Sequence, residues 1–98
     1  MSKAQRKTAV QTESDLLTEL GEVVRKRRLA LDLSQEELAE RAGVHRTYLS
    51  DIERGARNIT ITVLTRLADA LEVRVSRLFR LTEERTRAYD APARGRRR

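Results

Sequence analysis

Cysteine is absent from this 98-residue chain, which excludes disulfides, thiolate metal sites and cysteine nucleophiles. Tryptophan is absent as well, and the aromatic side chains are only Tyr48, Phe79 and Tyr89. The single histidine, His45, supports neither a histidine-rich metal cluster nor Ser-His-Asp hydrolysis. No pair of acids placed for a cleft, no nucleophile–base pair and no phosphate loop is legible, so no enzyme is expected. No cofactor or metal is expected either. Apolar runs stay too short to cross a membrane. The start Met1-Ser2-Lys3-Ala4-Gln5-Arg6-Lys7 lacks the apolar stretch of a signal peptide, and the expected location is the cytoplasm. A chain of this length forms one compact domain and buries roughly 60–70% of its unfolded surface.

What is abundant is charge. The net charge is +6, but its placement matters more than its sum. Residues 1–14 carry Lys3, Arg6 and Lys7 against Glu13, and residues 82–98 carry six Arg against three acids. The stretch 15–81 holds twelve basic and eleven acidic residues and is nearly neutral. These composition shifts divide the chain into a flexible arm (1–14), a folded domain (15–81) and a basic tail (82–98). The tail, ending Pro92-Ala93-Arg94-Gly95-Arg96-Arg97-Arg98, is either a solvated terminus or an arm adding phosphate contacts.

The middle reads as helix throughout, so the expected fold class is all-α. Leu16, Leu17, Leu20, Val23, Val24 and Leu31 recur at helical spacing from Asp15 to Leu31, with Thr12 or Ser14 as candidate cap. Ser34-Gln35-Glu36-Glu37 has the capping-box form, opening a short second helix that Gly43 ends. A third helix covers residues 45–54 and stops at Gly55. Thr60 caps a fourth from Ile61 to Leu71, presenting Ile61, Leu64, Leu67, Ala68 and Leu71 inward. A fifth runs from Val75 to Leu81, and Thr82 to Tyr89 either extend it or fray. The alternating stretch Ile59-Thr60-Ile61-Thr62-Val63 is assigned to loop and helix, not strand.

Two short helices joined by a Gly-containing turn form a helix-turn-helix when the second can enter a major groove. Ala39 is the small residue that lets the helices cross, Gly43 makes the turn, and Leu38, Val44, Leu49 and Ile52 are apolar anchors. The exposed start of the second helix then offers Arg46, suited to bidentate bonding of guanine, and Thr47, with a hydroxyl and a methyl.

Leu33-Ser34-Gln35-Glu36-Glu37-Leu38-Ala39-Glu40-Arg41-Ala42-Gly43-Val44, followed by Tyr48-Leu49-Ser50-Asp51-Ile52-Glu53-Arg54-Gly55, closely resembles the Xre-type, lambda-repressor-like helix-turn-helix family. The resemblance covers about residues 20–81. Within that family, Arg46 to Ser50, Ile52 to Arg54 and Arg57-Asn58-Ile59-Thr60-Ile61 look like controller proteins of restriction–modification systems. The resemblance implies a five-helix domain that binds double-stranded DNA, at a palindromic operator, as a homodimer. It implies phosphate contact by Ser34 and Gln35, base reading by Arg46 and Thr47 with Ser50 and Asp51 one turn on, and phosphate contact by Arg57 and Asn58, in a loop that in controller proteins also helps to read sequence. Tyr48 matches a position at the duplex backbone, although packing on its own domain is an equal reading. Glu53 and Arg28 match a partly buried ion pair. Asp32 stands where many relatives carry Gly, at a helix end that asks for left-handed geometry. No sensor domain follows residue 81, unlike in larger phage repressors, so ligand- or cleavage-driven induction is not expected.

Leu71, Val73, Val75, Leu78, Phe79 and Leu81 exceed what one small domain covers easily. They either complete the monomer core or form a two-fold interface, and Leu71, Val73, Val75, Leu78 and Phe79 are the candidate interface set. Such a dimer would set its recognition helices about 34 Å apart. The acids Glu36, Glu37 and Glu40 are a candidate contact for RNA polymerase, equally explained by capping and solubility. An antitoxin-like protein-interaction module with secondary DNA binding is the alternative function, and nonspecific nucleic-acid binding through the basic ends is a third.

Overall fold

A computed structural model describes residues 8–86, apart from the Ser14 side chain. The first seven residues of the expected arm and the tail from residue 87 lie outside the described residues. Within them the chain forms five helices and no strand: α1 (Ala9–Ala30), α2 (Gln35–Ala42), α3 (Arg46–Glu53), α4 (Ile61–Ala70) and α5 (Val75–Arg85).

The first helix starts at Ala9, not near Asp15, and neither Thr12 nor Ser14 caps it. Thr8 is the cap: its Oγ1 accepts from the Gln11 amide at 3.1 Å, while its own amide donates to Gln11 Oε1 at 2.9 Å. This reciprocal pair satisfies amides that the first turn would leave orphaned. The apolar pattern misses it because Val10 lies on the solvent side, 73% exposed. At the other end α5 continues to Arg85, beyond Leu81, and Thr82 and Thr86 are buried. Arg85 Nε donates to Glu19 Oε1 at 2.7 Å and ties this extension to α1. The folded unit is therefore longer at both ends than 15–81.

Four helices close in the same way. The residues Asp32, Gly43, Gly55 and Glu72 all have left-handed φ, between 61° and 73°. At each, the next residue's amide reaches back to a carbonyl five positions earlier, as in Val44 to Ala39 (3.0 Å) and Val73 to Ala68 (3.0 Å). Asp32 holds the geometry anticipated for it, and Glu72 adopts it without any signal in its residue type. Arg27 reinforces that last end, its Nε donating to the Leu71 carbonyl at 2.8 Å. A cation is well placed at a helix C-terminus.

α1 packs on α3 and α5, α2 on α3 and α4, and α4 on α5. Val24, Leu38, Leu49, Leu64, Leu67, Leu71 and Leu78 are fully enclosed between them. The α1–α3 crossing is very close. A Cβ on Gly21 would sit 2.4 Å from the Ile52 carbonyl oxygen and 2.6 Å from that of Glu53. A Cβ on Gly55 would sit 2.7 Å from Thr18 Cα. Gly21 thus sets how near α3 lies to α1, and so where the turn α2–α3 is held. Ile61 departs from expectation: it opens α4 on the outside, 69% exposed, while Leu64, Leu67 and Ala68 carry the buried stripe.

Candidate nucleic-acid interface

α2 is anchored by its own cap. Ser34 Oγ accepts from the Glu37 amide at 3.0 Å, and the Ser34 amide donates to Glu37 Oε1 at 2.8 Å. Those bonds from Ser34, first to the backbone amide, hold the Glu37 carboxyl below the usual carboxylate range. The Ser34 hydroxyl is thus engaged within its helix.

Beneath this turn lies a polar staple. Glu53, the last residue of α3, accepts from Arg28 Nε at 2.7 Å on one oxygen and from Arg28 Nη2 at 3.0 Å on the other. Gln35 Nε2 donates to that second oxygen at 2.9 Å. Arg28 Nη1 also reaches the Leu33 carbonyl at 2.8 Å. Both side chains of the ion pair are buried, 10% and 3% exposed, where the family resemblance implied a partly buried pair. The hydrogen bond to Glu53 raises the Arg28 pKa further above its ordinary value. One carboxylate therefore fastens α1, α2 and α3 together. Gln35, read as a phosphate ligand, turns its amide nitrogen inward to this staple.

α3 begins at Arg46. Its preceding residue, His45, is exposed and makes no side-chain capping bond, which leaves the helix start open to an acceptor from outside. Arg46 and Thr47 are exposed and Ser50 is half-buried. Arg46 Nε lies 3.4 Å from Glu36 Oε2, in a pair 57% and 69% exposed. Such a pair is weak and readily exchanged.

Tyr48 rests half-buried against the core, and the Arg57 guanidinium carbon sits 4.9 Å from its ring centroid. Arg57 Nη2 also donates to Asp51 Oδ2 at 3.2 Å, and Arg54 Nη2 contacts Asp51 Oδ1. Asp51 therefore faces two arginines of its own chain. Asn58 is exposed beside Arg57. A concavity of about 520 Å³ opens next to this cluster, lined by Gly43, His45, Thr47, Tyr48, Arg57 and Arg66 among others. Arg66 was missed by sequence reading. Its signal was its place one turn beyond Val63 on α4, opposite the buried stripe.

The candidate interface residues separate into two groups. Leu71 and Leu78 are wholly inside the monomer's own core, so they offer no surface to a partner. Val73 and Val75 are half-buried, and Phe79 is 45% exposed. Ile61 joins Phe79 as a large exposed apolar side chain. No helix among the described residues is long and apolar enough to cross a membrane, and they hold no group of three potential metal ligands.

The helix-turn-helix family profile matches residues 24–78, from the middle of α1 into α5. Control protein C.SmaI of Serratia marcescens is 47% identical over 65 residues, covering 66% of this chain and 77% of that protein. Control protein C.BamHI of Bacillus amyloliquefaciens is 43% identical over 63 residues, covering 63% and 78%. The crystal structure of the restriction–modification controller protein C.AhdI from Aeromonas hydrophila superposes with a TM-score of 0.63 at 40% identity, covering 64% of this chain and 96% of that one. The chain belongs to the helix-turn-helix family and is a DNA-binding transcriptional regulator of the restriction–modification controller type.

Proposed function

We propose that this regulator binds a palindromic DNA operator as a homodimer and there controls transcription of restriction–modification genes. The observation that carries the reading is the open start of α3, where Arg46 and Thr47 project from a helix held rigidly by the Arg28–Glu53–Gln35 staple. Arg46 reads a guanine, with Thr47 and Ser50 beside it. Asn58 and Arg66 meet phosphates on the flank, where they fix register rather than sequence, whereas Arg57, in the loop after α3, meets the duplex where its placement also helps to read sequence. Val73, Val75 and Phe79 supply the apolar surface for a two-fold contact. Leu71 and Leu78 support that surface from within the monomer.

The acidic patch offers less to a polymerase than its composition suggests. Glu37 is used by the α2 cap, while Glu36 meets Arg46 only in a weak exposed pair, so Glu36 and Glu40 are its freer members.

The test is a binding selection from randomised duplexes with the full-length protein near physiological salt. Enrichment of a palindrome with half-sites one helical turn apart is the expected result. An enriched site without two-fold symmetry would overturn the dimer, and no enriched sequence would overturn sequence-specific binding.

A further inference from the structure

We infer that Asp51 is a positioning residue: its carboxylate holds Arg57 in a binding-ready pose and makes no favourable contact with nucleic acid itself. The inference deepens the DNA-binding reading above and rests on it.

Asp51 stands one turn beyond Thr47 on α3, a place that first suggests base contact. A carboxylate there is repelled by the phosphate backbone, and its one useful base partner is the cytosine amino group. Its oxygens are already occupied. Oδ1 faces the Arg54 guanidinium, and Oδ2 accepts from Arg57 Nη2 at 3.2 Å. The Asp51 side chain is 20% exposed, against 64% for Arg54 and 50% for Arg57. The acid lies behind the two cations and not in front of them.

Arg57 is the residue that needs such support. It sits in the loop between α3 and α4, with no helix of its own to orient it. Two side chains three residues apart on α3 hold it: the Tyr48 ring at 4.9 Å from the guanidinium carbon, and Asp51 on a guanidinium nitrogen. A long side chain already fixed loses less freedom on binding. The contrast with Arg46 is instructive. Its partner Glu36 is 69% exposed and gives way easily, whereas Asp51 is largely shielded by the groups it holds.

Removing the Asp51 charge therefore has two opposing effects. One repelled charge fewer tightens binding to every duplex, while a loosened Arg57 weakens binding where its placement counts. Full-length Asp51→Asn and Asp51→Ser are measured by fluorescence anisotropy on the duplex enriched by selection and on a scrambled duplex of the same composition. Binding to the scrambled duplex is expected to tighten by about threefold. The ratio between the two duplexes is expected to fall by roughly 5–10-fold, the scale of freeing one long side chain. In an Arg57→Ala background the same substitutions should leave the ratio nearly unchanged, because the group they position is gone.

An equal gain on both duplexes, or an unchanged ratio, overturns the inference, since Asp51 would then be a repelling or a neutral surface charge. An equal loss of ratio with and without Arg57 overturns it too, by placing the action elsewhere. Failure of the unmodified protein to prefer the selected duplex would instead condemn the DNA-reading assignment itself. Two substitutions are used so that a folding defect in one leaves the other to decide, with the circular dichroism melt as control.

Discussion

Two arginine–carboxylate pairs in this protein share their chemistry and differ in burial and in geometry. Arg28 and Glu53 meet through two hydrogen bonds in the interior, with Gln35 on the same carboxylate. Arg46 and Glu36 meet at 3.4 Å on the surface, each more than half exposed. Both pairs connect different helices, α1 to α3 in one case and α2 to α3 in the other. The buried pair fixes a geometry because neither charge has water to return to. The exposed pair costs little to break, so Arg46 is free to trade its carboxylate for a base or a phosphate. A reading surface needs both: a rigid foundation and side chains that let go.

The largest effect expected from breaking this contrast is at Glu53. Glu53→Ala strands the Arg28 charge in the interior, leaves the half-buried Gln35 amide without this partner and should cost roughly 3–5 kcal/mol in urea denaturation. A cost below about 1 kcal/mol would show that the staple contributes little. Gly21→Ala comes next. In an exposed helix interior this change usually stabilises by about 1 kcal/mol. Here the new Cβ meets the Ile52 carbonyl, so a loss of roughly 1–3 kcal/mol is expected in the same measurement. A gain in stability would mean that the α1–α3 crossing relaxes freely.

On the surface side, Arg46→Ala should leave stability unchanged while weakening binding to the selected duplex by about 1–3 kcal/mol and relaxing one operator position. Unaltered affinity and preference would remove Arg46 from base reading. The smallest effect belongs to its partner. Glu36→Ala is expected to change stability by less than about 0.5 kcal/mol, read from thermal melts. A cost comparable to that at Glu53 would erase the distinction between the two pairs.

Much of this was legible beforehand, and the reasons are local. The α2 capping box, the Gly43 turn and the Thr60 cap involve residues within five positions of one another, so residue type and spacing suffice. The Arg28–Glu53 pair became legible only through resemblance to a family, because nothing nearby links two residues 25 positions apart. The start of α1 was missed for a different reason: its signal is a polar Thr8–Gln11 cap with Val10 outward, and an apolar period cannot see it. Ile61 failed by the same logic in reverse, since helical spacing admits it to the buried stripe while its place at the first turn of α4 sets it outside.

The sequence by itself determined the all-helical class, the order of the helices, their stops at Asp32, Gly43 and Gly55, and the polar face that α3 presents. Each depends on backbone propensity and side-chain period, which act over a turn or two. Tertiary structure alone decided that Gly21 is the crossing point of α1 and α3, that Gln35 turns inward and that Asp51 backs Arg57. It likewise decided that Leu71 and Leu78 belong to the core while Phe79 does not. Those outcomes depend on which distant segments come together and on how closely they approach. Packing sets that distance, and the spacing of residues along the chain does not encode it.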